Sequence, residues 1–449
     1  MEMKQFSVYI ETLGCAKNQV DSEVMLGLFK GNQYLLAQEP VDADIIVVNT
    51  CGFIESAKTE SVNTMLELME YKKEGRCEIF IVAGCLVERY AEDLSKEIPE
   101  IDAFVGTTNF DGIVSVVNDI FDKNQTVIRT GNIDKIFDEE LPRILTTPSH
   151  YAYLKIAEGC DNFCTYCIIP QLRGKYRSRK MEDIIKEAKY LVSQGVKELL
   201  IIAQDTTRYG IDLYDRLMLA ELLEELNKIE DLKWIRLHYC YPDLIDDQLI
   251  NAIANLEKVC KYIDIPIQHC NDDVLKRMNR TTSKEQIVSV VNKLRDQVPG
   301  IAIRTTLIAG FPGETEEQFN ELAQFVEDMN FERLGVFAYS QEEDTAAAKF
   351  EDQLDEEVKI ERQNKIMAIQ MGVSERITAS RLGTIMDVLI EEPVEGENVY
   401  VGRTSYDSPE VDGVAYVHAS KELELGTIVK CKITDTMEYD LIGDYYELS

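Results

Sequence analysis

The sequence has no long hydrophobic run and no leader-like start. No stretch approaches the ~20 consecutive apolar residues that a membrane-spanning helix needs. The first residues, Met-Glu-Met-Lys-Gln-Phe-Ser-Val-Tyr-Ile, contain no basic segment followed by a long apolar one, and no small-residue cleavage site. These absences predict a cytoplasmic protein that does not act at a membrane.

Positive charge is also scarce. The chain has 47 Lys and Arg against 81 Asp and Glu, which gives a net charge of −34 at pH 7. A surface this acidic repels the phosphate backbone of nucleic acids unless a local basic patch intervenes, and it attracts basic partners. The same acidity would also suit solubility alone. Both interpretations stay open on charge alone.

Cysteine, in contrast, is plentiful and is concentrated in one place. Three of the 11 cysteines form the pattern Cys-x3-Cys-x2-Cys at Cys160, Cys164 and Cys167. Thiols so close in sequence converge on one metal centre more readily than they form a stable disulfide pattern. The odd cysteine count also fits a reducing compartment better than a disulfide framework. Three ligands leave one metal position open, which favours chemistry over a purely structural role.

A second set of three cysteines follows predicted strands in the N-terminal region. Short apolar runs predict buried parallel strands at Phe6–Glu11, Asp44–Asn49 and Ile79–Ala83. The cysteines that follow them are Cys15, Cys51 and Cys85. The carboxyl ends of parallel strands share one edge of the sheet, where ligands bind, so these thiols are expected to meet. The alternative is three unrelated buried cysteines, a common core residue.

Neither set of cysteines matches a structural zinc site. Such a site takes four ligands, often from two Cys-x2-Cys pairs, and no histidine lies near either set. Iron–sulfur clusters, in contrast, are bound by thiolates in tight runs. Three thiolates on a four-iron cluster leave one iron free for a substrate or cofactor. The residues therefore predict two iron–sulfur sites, each with an open iron.

The hydrophobic patterns predict an α/β fold in three domains. Residues 1–125 are expected to form an open parallel α/β sheet, residues 126–150 an acidic linker, and residues 151–378 a partial, open (β/α)6 barrel. Five β-rich runs in residues 379–449 predict a small OB-like β-barrel. This last segment has 5 Lys and Arg against 15 Asp and Glu, which argues against nucleic-acid binding there.

Polar residues follow consecutive strands of the predicted central barrel or, for Arg304 and Thr306, lie on its fifth strand. Active sites of such barrels lie at the carboxyl ends of the strands, so these residues are expected to line a cavity, although any one of them could be structural. They are Gln204-Asp205, His238-Tyr239, Gln268-His269, Arg304, Thr306 and the loop Gly310–Glu314. The glycines of that loop would allow the backbone to approach a ligand closely.

The cysteine motif, with Tyr166 before its third cysteine, resembles the signature of radical S-adenosylmethionine (SAM) enzymes. With the N-terminal cysteines and the C-terminal barrel, the whole chain resembles the methylthiotransferases. The resemblance implies two [4Fe–4S] clusters: Cys160, Cys164 and Cys167 hold one, which binds SAM and cleaves it to a 5′-deoxyadenosyl radical. Cys15, Cys51 and Cys85 hold an auxiliary cluster that delivers sulfur, while a second SAM supplies the methyl group.

The same resemblance implies further site residues and a TRAM-like C-terminal barrel. Tyr166 corresponds to the position that contacts the adenine of SAM. Gln204, Gln268, Arg304 and Gly310 correspond approximately to strand ends that line the cofactor. An electron donor is implied as a partner.

Local motifs favour one branch of the family. Residues 12–23, 168–174 and 262–269 resemble the branch that modifies an aspartate β-carbon of a small-subunit ribosomal protein, the one numbered twelve. An acidic chain also suits a basic ribosomal protein better than an RNA backbone. RNA contact is then expected only on the ribosome. Ala16, where that branch often has proline, is a small departure.

Two other functions remain as alternatives. One is the tRNA adenosine branch of the family, for which the basic run Arg173–Lys180 could bind phosphate. The other is an iron–sulfur electron carrier without a substrate, although a carrier would need no lined cavity.

Overall fold

A computed structural model describes residues 5–123, 125–135 and 141–447. The chain divides into two compact units. The first comprises residues up to 146 together with 157–179 and 340–348, and the second comprises 147–156, 180–339 and 349 onward. Residues 136–140 of the predicted linker lie outside the described residues.

The first unit is built on a six-stranded parallel sheet flanked by helices. The strands are β1 Ser7–Thr12, β2 Leu35–Leu36, β3 Ile45–Thr50, β4 Ile79–Gly84, β5 Ala103–Val105 and β6 Val127–Arg129. Their order across the sheet is β2-β1-β3-β4-β5-β6. The helices are α1 Ala16–Gly31, α2 Glu55–Glu74, α3 Cys85–Glu97 and α4 Ile113–Lys123.

Both faces of this sheet are buried. Val47 and Ile81 contribute to the core on one face, whereas their neighbours Ile46 and Phe80 contribute to the core on the other. Successive strand residues point to opposite faces, so a strand covered on both sides reads as a continuous apolar run. This is why β3 and β4 were predictable from their composition.

The second unit contains six parallel strands in the order of the chain. They are β7 Tyr151–Lys155, β10 Glu198–Ile202, β11 Trp234–Leu237, β12 Val259–Gln268, β13 Ala302–Ala309 and β14 Arg333–Ala338. Two short strands of the first unit, β8 Ala157–Glu158 and β9 Arg177–Ser178, pair with each other. The open sheet of six strand–helix units confirms the predicted central architecture.

Helices alternate with these strands. They are α5 Ile169–Arg173, α6 Met181–Ser193, α7 Ile211–Tyr214, α8 Leu219–Asn227, α9 Asp247–Asn255, α10 Asp272–Arg277, α11 Lys284–Gln297, α12 Glu316–Met329 and α13 Glu356–Ala379. Capping boxes at Ser283 and Thr315 begin α11 and α12, because each side chain accepts from the backbone three residues on. Within the described residues, no helix combines the length and apolar character needed to cross a bilayer.

The C-terminal strands close into a five-stranded barrel, as predicted. They are β15 Ile385–Pro393, β16 Val399–Thr404, β17 Ala415–His418, β18 Ile428–Thr436 and β19 Leu441–Tyr445, in the order β15-β16-β17-β19-β18. Closure removes exposed sheet edges. The α/β fold class with its terminal β-barrel is therefore confirmed.

The loop between β16 and β17 packs against the central sheet. The Glu410 carboxylate accepts from the Tyr151 and Tyr153 hydroxyls at 3.1 and 3.2 Å. The Asp412 carboxylate accepts from the Tyr262 hydroxyl at 2.7 Å, and Ser408 Oγ lies 2.9 Å from His238 Nε2. The carboxyl ends of β10 and β12 carry Gln204 and Gln268, two of the predicted site residues.

Candidate functional site

The Cys-x3-Cys-x2-Cys motif lies on the loop between β8 and α5. Gly159 precedes it with a φ of +80°, and a Cβ there would lie 2.0 Å from the Lys175 carbonyl oxygen, so only glycine fits. The Cys160 amide donates to the Gly174 carbonyl at 3.1 Å, and the Cys167 amide donates to the Cys164 carbonyl at 3.0 Å. These contacts hold the three cysteines on one compact turn.

The thiols of this motif interact electrostatically. Burial raises the pKa of the Cys167 thiol above its ordinary value, and the neighbouring Cys164 and Cys160 thiols raise it further. Mutual destabilisation of neighbouring thiolates is relieved when a cluster binds them. Tyr166 lies on the same loop, half-buried, beside Thr165, whose carbonyl accepts from the Ala347 amide at 2.8 Å.

The N-terminal cysteines meet at the carboxyl edge of neighbouring strands. Cys15 directly precedes α1, Cys51 directly follows β3, and Cys85 begins α3 directly after β4. Burial raises the pKa of Cys85 to about 12, and Cys15 and Cys51 add to that rise. The structure therefore brings together three thiols that are distant in sequence.

Glycine allows the close approach of two of these segments. A Cβ on Gly14, whose φ is +91°, would lie 2.8 Å from the Cys51 Cβ and 3.2 Å from its sulfur. A side chain at this position would therefore displace the Cys51 thiol.

Both sets of thiols fit an iron–sulfur cluster better than a single metal ion. Across residues 5–123, 125–135 and 141–447, no three Cys, His, Asp or Glu side chains converge to hold one ion. A [4Fe–4S] cluster has a different requirement because each thiolate binds its own iron. Three neighbouring thiols are a donor set that such a cluster takes.

The carboxyl ends of β11 and β12 carry unusual backbone. Tyr239, two residues beyond β11, has a φ of +57°, and Gln268, the last residue of β12, has a φ of +71°. Left-handed backbone at residues other than glycine is costly and is concentrated at functional sites. Gln268 is half-buried, as is Gln204, which follows β10. Both glutamines lie at the sheet edge where the cofactor-lining residues were predicted.

Arg304 lies in the first half of β13, far from the strand's carboxyl end. Its guanidinium contacts the Asp264 carboxylate at 3.1 Å and the Asp412 carboxylate at 3.5 Å. These carboxylates outweigh burial and raise the pKa of Arg304. Two counter-charges thus hold Arg304 between β12 and the β16–β17 loop, and its role toward the cofactor stays a prediction.

The Gly310–Glu314 loop is fixed by a buried carboxylate. Glu314 accepts from the Gly310 amide at 3.1 Å and from Arg362 Nη1 at 2.6 Å, and lies 3.3 Å from His269 Nε2. A Cβ on Gly310 would lie 2.6 Å from the Lys359 side chain on α13. The close approach that requires this glycine is therefore a contact with α13.

Three known protein families match three successive regions of the chain. Residues 7–106 match the Uncharacterized protein family UPF0004, residues 154–326 match the Radical SAM superfamily, and residues 382–445 match the TRAM domain. The chain is 52% identical over 443 residues to "Ribosomal protein uS12 methylthiotransferase RimO" of Clostridioides difficile (strain 630), covering 98% of this chain and 99% of that protein. The protein of the same name from Thermoanaerobacter sp. (strain X514) is 51% identical over 439 residues, covering 98% of this chain and 100% of that protein.

The chain belongs to the ribosomal protein uS12 methylthiotransferase family.

Membership makes this chain a radical SAM methylthiotransferase, and the superfamily implies a [4Fe–4S] cluster and SAM. A solved structure supports the fold: the radical SAM methyltransferase TsrM from Kitasatospora setae, with tryptophan and a SAM analogue, superposes with a TM-score of 0.57. The superposition covers 74% of this chain and 73% of that one at 13% identity, so it informs only on architecture.

The structure also reveals site residues of this methylthiotransferase that sequence reasoning missed. Arg173 is fully buried and contacts Asn18, Asp21 and Glu158. In the sequence it belongs to the basic run Arg173–Lys180, which was considered for phosphate binding. No local signal marks its burial, because Asn18 and Asp21 lie 155 and 152 residues away in the sequence.

Proposed function

We propose that this enzyme transfers a methylthio group to the β-carbon of an aspartate in ribosomal protein uS12. The observation that carries the proposal is the match, at about 50% identity over 98% of the chain, to proteins named for that activity. It is supported by two sets of three neighbouring cysteines. The N-terminal set lies beyond the carboxyl ends of strands, and the other set lies on a compact loop. The domains are proposed as residues 1–125, 151–378 and 379–449, with a linker at 126–150.

Cys160, Cys164 and Cys167 are proposed to hold the SAM-binding cluster, and Cys15, Cys51 and Cys85 an auxiliary [4Fe–4S] cluster. When bound, the first cluster and SAM supply one-electron bond cleavage, the auxiliary cluster supplies sulfur, and a second SAM supplies the methyl group. The protein's contribution is positional, because the turn after Gly159 and the contact between Gly14 and Cys51 fix where the thiols lie. Tyr166, Gln204, Gln268, Arg304 and Gly310 are proposed to contact SAM.

The charge distribution supports a basic protein substrate. Eleven acidic residues of the described part of the C-terminal segment are exposed: Asp387, Glu392, Glu395, Glu397, Glu410, Glu422, Glu424, Asp435, Glu438, Asp444 and Glu447. Complementary charge accelerates encounter and selects partners. A basic ribosomal protein fits this surface, whereas an RNA backbone would be repelled. The enzyme is proposed to act in the cytoplasm with an electron-donor partner.

The tRNA alternative loses part of its support from the geometry of the basic run. Arg173 is buried between the carboxylates of Asp21 and Glu158, so it cannot bind phosphate. Arg177 donates to the Lys175 carbonyl at 2.5 Å and lies 3.6 Å from Asp134. Two of the cations of the run are therefore engaged within the protein.

Cysteine variants test the two proposed cluster roles separately. Anaerobically reconstituted Cys164→Ala protein is expected to lose reductive SAM cleavage, measured as 5′-deoxyadenosine. Cys51→Ala protein is expected to cleave SAM but to transfer no sulfur. Cys431→Ala, which removes a buried thiol of the C-terminal barrel, is the matched control and should retain both activities. Full sulfur transfer by Cys51→Ala would show that the auxiliary site is wrongly assigned.

A further inference from the structure

Arg173 ends the short helix that follows the cysteine loop, and its side chain is almost completely buried, with 2% exposed. Its guanidinium donates to Glu158 Oε2 at 3.0 Å, to Asp21 Oδ2 at 3.0 Å and to Asn18 Oδ1 at 2.6 Å. Glu158 lies two residues before Cys160, whereas Asn18 and Asp21 lie in the first turns of α1, which begins directly after Cys15. The guanidinium therefore contacts residues next to both sets of cysteines.

Asn18 extends these contacts to the backbone beside the N-terminal cysteines. Its Nδ2 donates at 3.0 Å to the Leu13 carbonyl and at 3.0 Å to the Thr50 carbonyl. These residues lie just before Cys15 and Cys51. The Asn18 Oδ1 that accepts from Arg173 also lies 3.9 Å from the Cys85 sulfur, within the range of a weak thiol hydrogen bond. Arg173 thus fixes an amide that touches all three segments.

The charge of Arg173 also acts on the thiols themselves. Its guanidinium and the Cys85 sulfur contact the same Asn18 oxygen, at 2.6 and 3.9 Å, so a buried cation lies beside that thiol. A guanidinium stays charged and suits several acceptors at once, which a lysine ammonium does less well.

We propose that Arg173 is a positioning residue of the auxiliary site that also raises the reduction potential of its cluster. The inference rests on the proposed function, since it presupposes a cluster at Cys15, Cys51 and Cys85. Net charge and hydrogen bonds to sulfur set the potential of iron–sulfur clusters. A reduced cluster carries one more negative charge, so a nearby buried cation stabilises the reduced form relative to the oxidised one.

The test uses a full-length protein that retains only the auxiliary site. Cys160, Cys164 and Cys167 are replaced together by alanine, and the protein is reconstituted anaerobically with iron and sulfide. Arg173→Gln and Arg173→Lys are then introduced. Iron and sulfide content are measured, and the midpoint potential follows from an EPR-monitored redox titration. None of these readouts depends on enzymatic activity.

The matched control is Arg143→Gln. Arg143 is also buried, with 8% exposed, and its Nε donates to Glu23 Oε2 at 2.7 Å on the same helix α1. Removing it breaks a comparable buried pair with a carboxylate of α1. A purely structural effect should therefore appear equally in both glutamine variants.

Arg173→Gln is expected to shift the ratio of reduced to oxidised cluster at least tenfold toward the oxidised form, about 59 mV for one electron. Arg173→Lys should recover part of the shift, and Arg143→Gln should show none. If Arg173→Gln binds a complete cluster whose midpoint potential is unchanged, the inference is overturned, whereas the auxiliary site itself stands. If Arg173→Gln binds no cluster, an unshifted potential in Arg173→Lys overturns it and a lowered one supports it. Failure of the parent to bind about four irons would overturn the auxiliary site itself, and the inference with it.

Discussion

Glu198 joins the central sheet to the C-terminal barrel through a buried ionic network. It is the first residue of β10 and is fully buried. Its carboxylate accepts from Arg236 Nε of β11 at 2.6 Å and from Arg403 Nη2 of β16 at 2.7 Å. Glu198→Gln leaves two buried guanidinium groups beside a neutral amide. The stability of this unit is therefore expected to fall sharply.

The structure sets the size of that loss. Breaking a buried ion pair by removing one partner costs about 3–5 kcal/mol. Burial alone would raise the pKa of Glu198, but Arg236 and Arg403 outweigh it and lower the pKa from 4.5 to about 2. Such a change corresponds to roughly 3 kcal/mol. Because Arg403 keeps a second carboxylate, Glu391, at 2.8 Å, we expect a loss of about 3 kcal/mol.

Trp234 reports on this region because it is the single tryptophan of the chain. It is buried on β11, in one cluster with Leu389 of β15. Urea unfolding followed by tryptophan fluorescence at pH 7 therefore measures the expected loss. Glu225→Gln is the control: Glu225 pairs with Lys228 at 2.5 Å on the surface, where such pairs contribute about 0–1 kcal/mol.

The pH dependence provides a second check. A carboxyl whose pKa is lowered in the folded state stabilises above its unfolded pKa, and this contribution is lost as pH falls through the folded pKa. The difference between parent and Glu198→Gln should be complete above about pH 4.5 and should shrink toward pH 2. The reasoning is refuted if the variant lies within about 1 kcal/mol of the parent at pH 7, or if the difference is unchanged at pH 3.

Two further predictions concern the first unit. Gly159→Ala should prevent assembly of the SAM-binding cluster, because the new Cβ would lie 2.0 Å from the Lys175 carbonyl oxygen. The loss is measured as iron content in a protein that lacks the N-terminal cysteines. The control Gly31→Ala, which has open space around it, should retain iron, and an equal loss in both variants would contradict the prediction. Glu342→Gln should lower the midpoint of thermal unfolding, through a loss of about 1–3 kcal/mol of stability. The buried Glu342 carboxylate caps the start of α2, because it accepts from the Glu55 amide at 2.7 Å and pairs with Lys58 at 3.2 Å. An unchanged midpoint would exclude this capping role.

Much of the fold follows from the sequence because burial leaves a periodic trace. β3 and β4 are apolar on both faces and were predicted to within a residue or two, and all five strands of the C-terminal barrel were found near their predicted positions. β2, β5 and β6 were missed because they have only two or three residues each. Strands this short carry too little pattern, and the neighbouring strand determines their pairing.

The site was predictable only where topology decides it. The rule that parallel strands share a carboxyl edge predicted that Cys15, Cys51 and Cys85 would meet, and the structure brings these three thiols together. Arg173 could not be predicted, because its burial depends on Asp21 and Glu158, which are far apart in sequence. Gly310 was expected to face a ligand, but its contact with Lys359 depends on where α13 packs.

The central claim is the choice of substrate, and one assay with two parallel reactions tests it directly. Reconstituted enzyme, SAM and a reductant are offered unmodified small ribosomal subunits in one tube and unmodified tRNA in another, and the products are examined by mass spectrometry. The account predicts an added methylthio group on an aspartate of uS12 and none on tRNA. Addition to a tRNA adenosine, with uS12 unchanged, would contradict the proposed substrate and the argument from acidic charge.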